Sequence, residues 1–213
     1  MPSQTFQDFY QSCFDTSFGA TRDGLNVQAL LNLEGDELAE AERLVLQAVE
    51  TSVDPRPLCA AGYLKLQAAG AILKRRLKSS VDVGRVDNRV HIAWALHQIE
   101  RYPESARIVV DVLTHTPKDN QWSRMMAVEA LADFGEMPLA VIALLETLID
   151  EDHFIAYLAT NSLKRIFKLD AAVVSILNEI QLMQIGNRVS VNTVELQEAR
   201  ERVKTLVGVH SSG

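Results

Sequence analysis

Residues 89–99 read RVHIAWALHQI and residues 124–134 read RMMAVEALADF. Both open on Arg, carry a small or branched apolar residue four positions before a leucine, and place a large apolar residue three positions after it. The pattern extends in both directions, so that the leucines fall at Leu64, Leu96, Leu131 and Leu163, spaced 32, 35 and 32 residues apart. Four positions before them stand Ala60, Ile92, Ala127 and Ala159; one before, Tyr63, Ala95, Ala130 and Ser162; three after, Gln67, Ile99, Phe134 and Ile166. Self-similarity at this period marks stacked supersecondary units, none able to bury its apolar face alone. The fold class that follows is all-α: an α-solenoid of antiparallel helix pairs.

The second helix of each pair carries the leucine and is expected to follow an acidic turn residue, Asp54, Asp87, Asp119 or Asp152, whose carboxylate can accept from the orphan N–H groups of the helix start. The first helices are expected at Asp36–Glu50, about Ala69–Lys78, Glu104–Leu113, Leu139–Ile149 and Asp170–Met183. Two of them open after Pro103 and Pro138, 35 residues apart; a helix's first turn tolerates proline, because the missing N–H would be unpaired there anyway. Leu139, Ile142, Leu145, Leu148 and Ile149 keep helical spacing, and no period-2 stretch bounded by hairpin turns argues for a sheet. Alanine at the recurrent small positions lets helices approach closely while the leucine fills the layer between them.

An Asp in the turn, an Arg at the helix start, then Ala, Ala-Leu and an apolar residue: this arrangement in residues 89–99 and 124–134 resembles the second-helix signature of HEAT-like (armadillo-type) repeats. The resemblance covers about residues 54–184. The other two units depart from it, with Pro57 and Ala156 in place of the Arg. It implies one solenoid domain over 1–213, with residues 1–35 an aromatic-rich N-terminal cap, 36–184 the repeats, and 185–213 a C-terminal capping helix and tail. It also implies a bacterial-type protein-binding array, with a HEAT-like enzyme, a nucleic-acid base-excision enzyme or a pigment–protein lyase, as the alternative.

The ends differ from the repeats. Phe6, Phe9, Tyr10, Phe14 and Phe18 make an aromatic stripe at helical spacing, either a cap on the array or a docking helix for a partner. Gly19–Gly24 reads as a turn before a helix at Leu25–Leu33. Asn192 and Glu195 have the spacing of a capping box opening Thr193–Val207, followed by a loose Val209–Gly213 tail.

Composition excludes several classes. Apolar residues make up 47% and charged ones 23%, and 21 basic residues against 28 acidic leave a net charge of −7, a surface that repels phosphate backbones and argues against nucleic acid as partner. No segment has a signal-peptide layout or the roughly 20 apolar residues of a bilayer span, so no membrane association is expected. Cys13 and Cys59 are widely separated and suit a reducing, cytoplasmic setting as small buried hydrophobes.

No catalytic residue, metal site or cofactor is expected. His91 and His97 lie six apart, not at ligand spacing, and His115 with Asp119 and His153 beside Asp150, Glu151 and Asp152 read as solvated turns. A di-iron hydroxylase group within the HEAT-like family uses His-Glu pairs, and here each His is followed by another residue. Lys74, Arg75, Arg76 and Lys78 form one basic run, either a cation-favoured helix end or a recognition site for an anion. Arg89 and Arg124 read as bridges to turn Asp residues or carbonyls of a neighbouring unit. Binding falls to the concave strip of second helices, at the positions expected to turn away from the core: Trp94, His97, Gln98, Glu129, Asp133, Asn161, Lys164 and Arg165, with Ala132 among them. Trp94 is the anchor candidate, with partial burial between helices as the other reading. The expected partner is another protein; its identity and the oligomeric state are not legible in the chain.

Overall fold

The computed structural model of the chain describes residues 2–17, 24–79, 86–186 and 193–208. Among the described residues it contains twelve α-helices, one short 3-10 turn at Gln67–Ala69, and no strand. The chain divides into two compact units, Met1–Ile108 and Val109–Gly213.

The first unit holds α1 (Gln4–Phe14), α2 (Val27–Leu31), α3 (Gly35–Thr51), α4 (Pro55–Tyr63), α5 (Gly70–Leu77) and α6 (Val86–Glu100), and the opening of α7 (Ser105–His115). Its starts are set by short polar caps. Ser3 Oγ accepts from Phe6 N (3.1 Å), Asn26 Oδ1 from Ala29 N (2.9 Å) and Asp54 Oδ1 from Arg56 N (2.8 Å), each meeting a donor that a helix start leaves without an intrahelical acceptor. α4 packs on α3 and runs along α6, while α5 packs on α6. Leu58, Ala60 and Ala61 of α4 and Ile92, Ala93, Ala95 and Leu96 of α6 are all fully buried. The closeness of α4 to α6 depends on Gly62, where a Cβ would stand 2.5 Å from Trp94 Cζ3 and 3.1 Å from Ala95 Cα.

α1 lies across α2, α3 and α4 with Phe9 and Cys13 buried beneath it. Its aromatic side chains pack on each other, Phe9–Phe14 at 5.8 Å and Tyr10–Phe14 at 5.3 Å between centroids. Two polar links fasten it. Ser3 donates to Glu37 through both N and Oγ (2.6 Å each), and the buried Arg56 donates to the carbonyls of Ser12 (3.1 Å) and Asp15 (2.9 Å). Arg56 stands one residue before Pro57, the place where the repeat pattern has its Arg. Phe18 and the Gly19–Gly24 turn lie outside the described residues, apart from Gly24 itself.

The second unit continues α7 and holds α8 (Gln121–Ala132), α9 (Pro138–Thr147), α10 (His153–Ile166), α11 (Ala171–Gly186) and α12 (Thr193–Leu206). α8 and α10 run along each other, α9 packs on both, α11 packs on α10 and α12 on α11. Ala127, Leu131, Ala159 and Leu163 are fully buried, and Ser162 Oγ donates to Val128 O (3.3 Å) across the two helices. α12 closes its side with Leu196, Ala199 and Val203 buried, and Lys204 and Arg200 both reach Glu146 of α9 (2.7 and 3.1 Å).

Four expectations change. Leu64 is not a core leucine: it is the C-cap of α4 and half-buried, because α4 ends one residue before it, whereas α6, α8 and α10 run past their leucines. α8 is capped by Asn120, which accepts from Ser123 N (3.3 Å), and not by Asp119. Asp87 lies inside the first turn of α6 rather than before it. The helix expected at Leu25–Leu33 spans only Val27–Leu31, since the backbone turns at Asn26 and Asn32. Asn192 and the Val209–Gly213 tail lie outside the described residues.

Candidate functional site

The expected binding strip resolves into two groups, one in each unit. In the first unit Trp94 and His97 do not turn away from the core. Trp94 is only 7% exposed, its ring set against Gly62 and against Tyr63 at 4.9 Å between centroids. His97 is 3% exposed, and Arg101 Nη1 approaches its Nε2 at 2.6 Å; since a guanidinium only donates, Nε2 is the acceptor. Gln98 is half-buried. These side chains are turned inward because α6 is enclosed by both α4 and α5, so little of its circumference meets solvent.

In the second unit the strip is more open. Glu129 on α8, Asp133 at the C-cap of α8 and Arg165 on α10 are exposed, and Arg165 Nη2 joins them by donating to Asp133 Oδ1 (2.7 Å) and Glu129 O (3.1 Å). Asn161 and Lys164 are held by α11: Lys164 Nζ donates to Gln181 Oε1, and Gln181 Nε2 donates to Asn161 Oδ1 (3.1 Å). Burial lowers the Lys164 ammonium from its ordinary value. Ala132 is buried.

The basic run is largely occupied. Lys74 pairs with Glu100 (2.7 Å) and lies over the Tyr102 ring, Arg75 pairs with Glu50 (2.8 Å), and buried Arg76 donates to Val49 O (2.7 Å). Its charges fasten α5 to neighbouring helices. Arg124 of α8 pairs with Asp150 in the turn before α10, the bridge its repeat position suggests.

One cluster of chemically reactive types is absent from the sequence reading. Cys59 Sγ lies 3.3 Å from His91 Nδ1, at a separation of 32 residues, the repeat period itself. Burial is the main cause that pushes the Cys59 thiol up to about 12, with the Asp54 charge adding to it, and burial likewise pushes His91 below its ordinary value. Cys13 is also pushed up to about 12, again chiefly by burial. Burial opposes the charged form of Asp54, yet hydrogen bonds from Arg56 hold that carboxyl below its usual range. Thiol catalysis needs the reverse, a thiolate stabilised beside a protonated imidazole. At neutral pH this pair is a protonated thiol against a neutral ring. Among the described residues no group of three or more His, Cys, Asp or Glu side chains could hold a metal ion, and no helix is long and apolar enough to cross a membrane.

No protein-family model, curated protein or solved structure matches this chain. The resemblance to HEAT-like repeats therefore rests on the residues themselves.

Proposed function

We propose that the chain is a non-enzymatic, cytoplasmic protein-binding module, a HEAT-like α-solenoid acting as an adaptor or an inhibitor/immunity-type binder, and that its partner docks on exposed faces of the second helices. The observation that carries this reading is the Glu129–Asp133–Arg165 group on α8 and α10, three charged residues of both signs on two helices that run side by side. Arg165 and Asp133 keep 55% and 39% of their side-chain surface exposed. An ion pair that open contributes about 0–1 kcal/mol to the fold, so its removal tests recognition with little effect on folding. Mixed charges of this kind fix register and suppress wrong partners more than they supply raw affinity.

The experiment is capture from native lysate by the full chain against Asp133→Arg and Arg165→Glu. Each reversal should weaken capture of the same partner by about tenfold or more, because it sets like charges against each other across the interface. Melting temperature should stay nearly unchanged. Undiminished capture by both variants would remove this face from the reading.

A further inference from the structure

α8 and α10 lie side by side in a common direction and register. Gln121 Nε2 of α8 donates to Asp152 Oδ2 at the start of α10 (2.7 Å), and at the far ends Arg165 donates to Asp133 (2.7 Å). Residues 32 apart in sequence therefore stand at the same level of the pair. Trp122, Met126 and Glu129 form one stripe along α8, and Phe154, Leu158 and Asn161 form the equivalent stripe along α10. Trp122 is 59% exposed and Phe154 46%, while Met126 and Leu158, one turn on, are half-buried. A lone exposed apolar side chain is ordinary, but large apolar residues at matching levels of two adjoining helices make a patch, and a patch marks an interaction surface.

Three properties of this face select its occupant. Its first half is aromatic and thioether, so it takes an apolar anchor, and methionine adapts its shape to one. Its backbone N–H and C=O groups are paired along the two helices, so an extended segment laid there would bury unmatched amides against Trp122 and Phe154. A helix brings its own groups already paired and fits the shallow groove between two helices. Glu129, seven residues past Trp122 and so about 10 Å along the axis, is exposed, and among the described residues no side chain pairs with its carboxylate. Asp133, one turn on, is already matched by Arg165. A purely apolar cover would strip the water from Glu129 without replacing it, whereas a cation replaces it.

We propose that the partner segment at this face is a basic amphipathic α-helix: an apolar anchor seats between Trp122 and Phe154, and a Lys or Arg about two turns along it pairs with Glu129. This rests on the docking face proposed above and adds what docks there. The chain's net charge of −7 also favours a basic partner at encounter.

Three synthetic peptides free of Trp and Tyr read out the class, each of about eighteen residues, long enough to hold a helix. One is a Leu-Ala-Lys sequence with Leu at i, i+3, i+4 and i+7; the second is its scramble, with the same charge and no apolar face; the third has every Lys replaced by Glu. With the full chain, the Leu-Ala-Lys helix should shift Trp122 emission saturably to shorter wavelength, while buried Trp94 stays constant. The scramble and the Glu peptide should bind at least tenfold more weakly. By anisotropy of the labelled peptide, Trp122→Ala should weaken the Lys helix at least tenfold at unchanged melting temperature, and Glu129→Lys should abolish its advantage over the Glu peptide. Equal binding of the scramble, no preference for Lys over Glu, an unshifted Trp122 or indifference to Trp122→Ala would each overturn the proposal. So would self-association of the chain that Trp122→Ala dissolves, which gives the face to a second copy. Failure of the peptides while Asp133→Arg and Arg165→Glu still weaken capture overturns the helix alone; undiminished capture by both variants removes the face itself.

Discussion

At the scale of single residues, the first unit turns on one close approach. Gly62 has no Cβ and Trp94 fills the space where one would be. The indole is 7% exposed and touches Tyr63, so it is packing material rather than an interface anchor. Trp94→Ala is expected to destabilise the protein by about 3–5 kcal/mol, the range for emptying a large aromatic site in a core; denaturant titration checks it, and a loss below about 1 kcal/mol would return Trp94 to the surface. His91 gives a pH signature. Burial, partly offset by Asp87 and Asp54, places its folded-state pKa below the ordinary 6.5. The unfolded chain therefore binds the proton more readily, so stability is complete above pH 6.5 and declines as pH falls below it toward the folded-state value. Asp54 is held below 3.8 and titrates outside that window. Unfolding free energies at pH 7.5 and 5.5 should show a larger drop for the wild-type chain than for His91→Gln; equal drops would remove His91 as the cause.

At the scale of helices, the recurrent alanines set how closely α8 and α10 lie. Ala127 has no exposed surface, and Ser162 of α10 already reaches the Val128 carbonyl beside it. Ala127→Leu should lower stability by about 1–3 kcal/mol through overpacking, while Ala132→Ser, at the edge of the same helix, should cost less; thermal melts of the two variants decide it. This level was the most legible in the chain. The 3.6-residue pattern located the first helix of each pair to within a few residues, and the period reappears in space as contacts 32 to 36 residues apart: Cys59 with His91, Gln67 Nε2 with Ile99 O, Arg165 with Glu129 O. Helix ends were less legible, because Asp119 and Asn120 are equally good caps by composition and only backbone geometry chooses between them. The candidate site was legible only in part. A repeat position specifies a helix face, but which faces are covered depends on the number of neighbouring helices: α6 is enclosed and buries Trp94 and His97, whereas α8 and α10 leave Glu129, Asp133 and Arg165 open. The Cys59–His91 approach had the repeat spacing as its signal, visible only if chemistry is searched for at the period rather than along one helix.

At the scale of the whole molecule, contacts are local in sequence. Side-chain hydrogen bonds join Arg56 to Ser12, 44 residues away, in the first unit and Lys204 to Glu146, 58 away, in the second. Helices that pack mainly on near neighbours require little loop closure before burial begins, and helical chains rich in local contacts fold in about milliseconds or faster. The chain has two tryptophans, Trp94 in the first unit at 7% exposure and Trp122 in the second at 59%, so Trp122→Phe leaves a single buried reporter of the Met1–Ile108 unit. Its emission should lie to the blue of free tryptophan and shift red on unfolding. In stopped-flow dilution from denaturant, the dominant recovery of that blue emission should finish within about milliseconds to tens of milliseconds, with only minor slower amplitude of the kind proline isomerisation produces. Substitution at α8, such as Ala127→Leu, should leave the Trp94 folding phase unchanged if nucleation in this unit draws only on its own helices. A dominant phase lasting seconds would mean that burial of Trp94 waits on contacts far along the chain, contrary to the local pattern in which it packs on Gly62 and Tyr63 of α4.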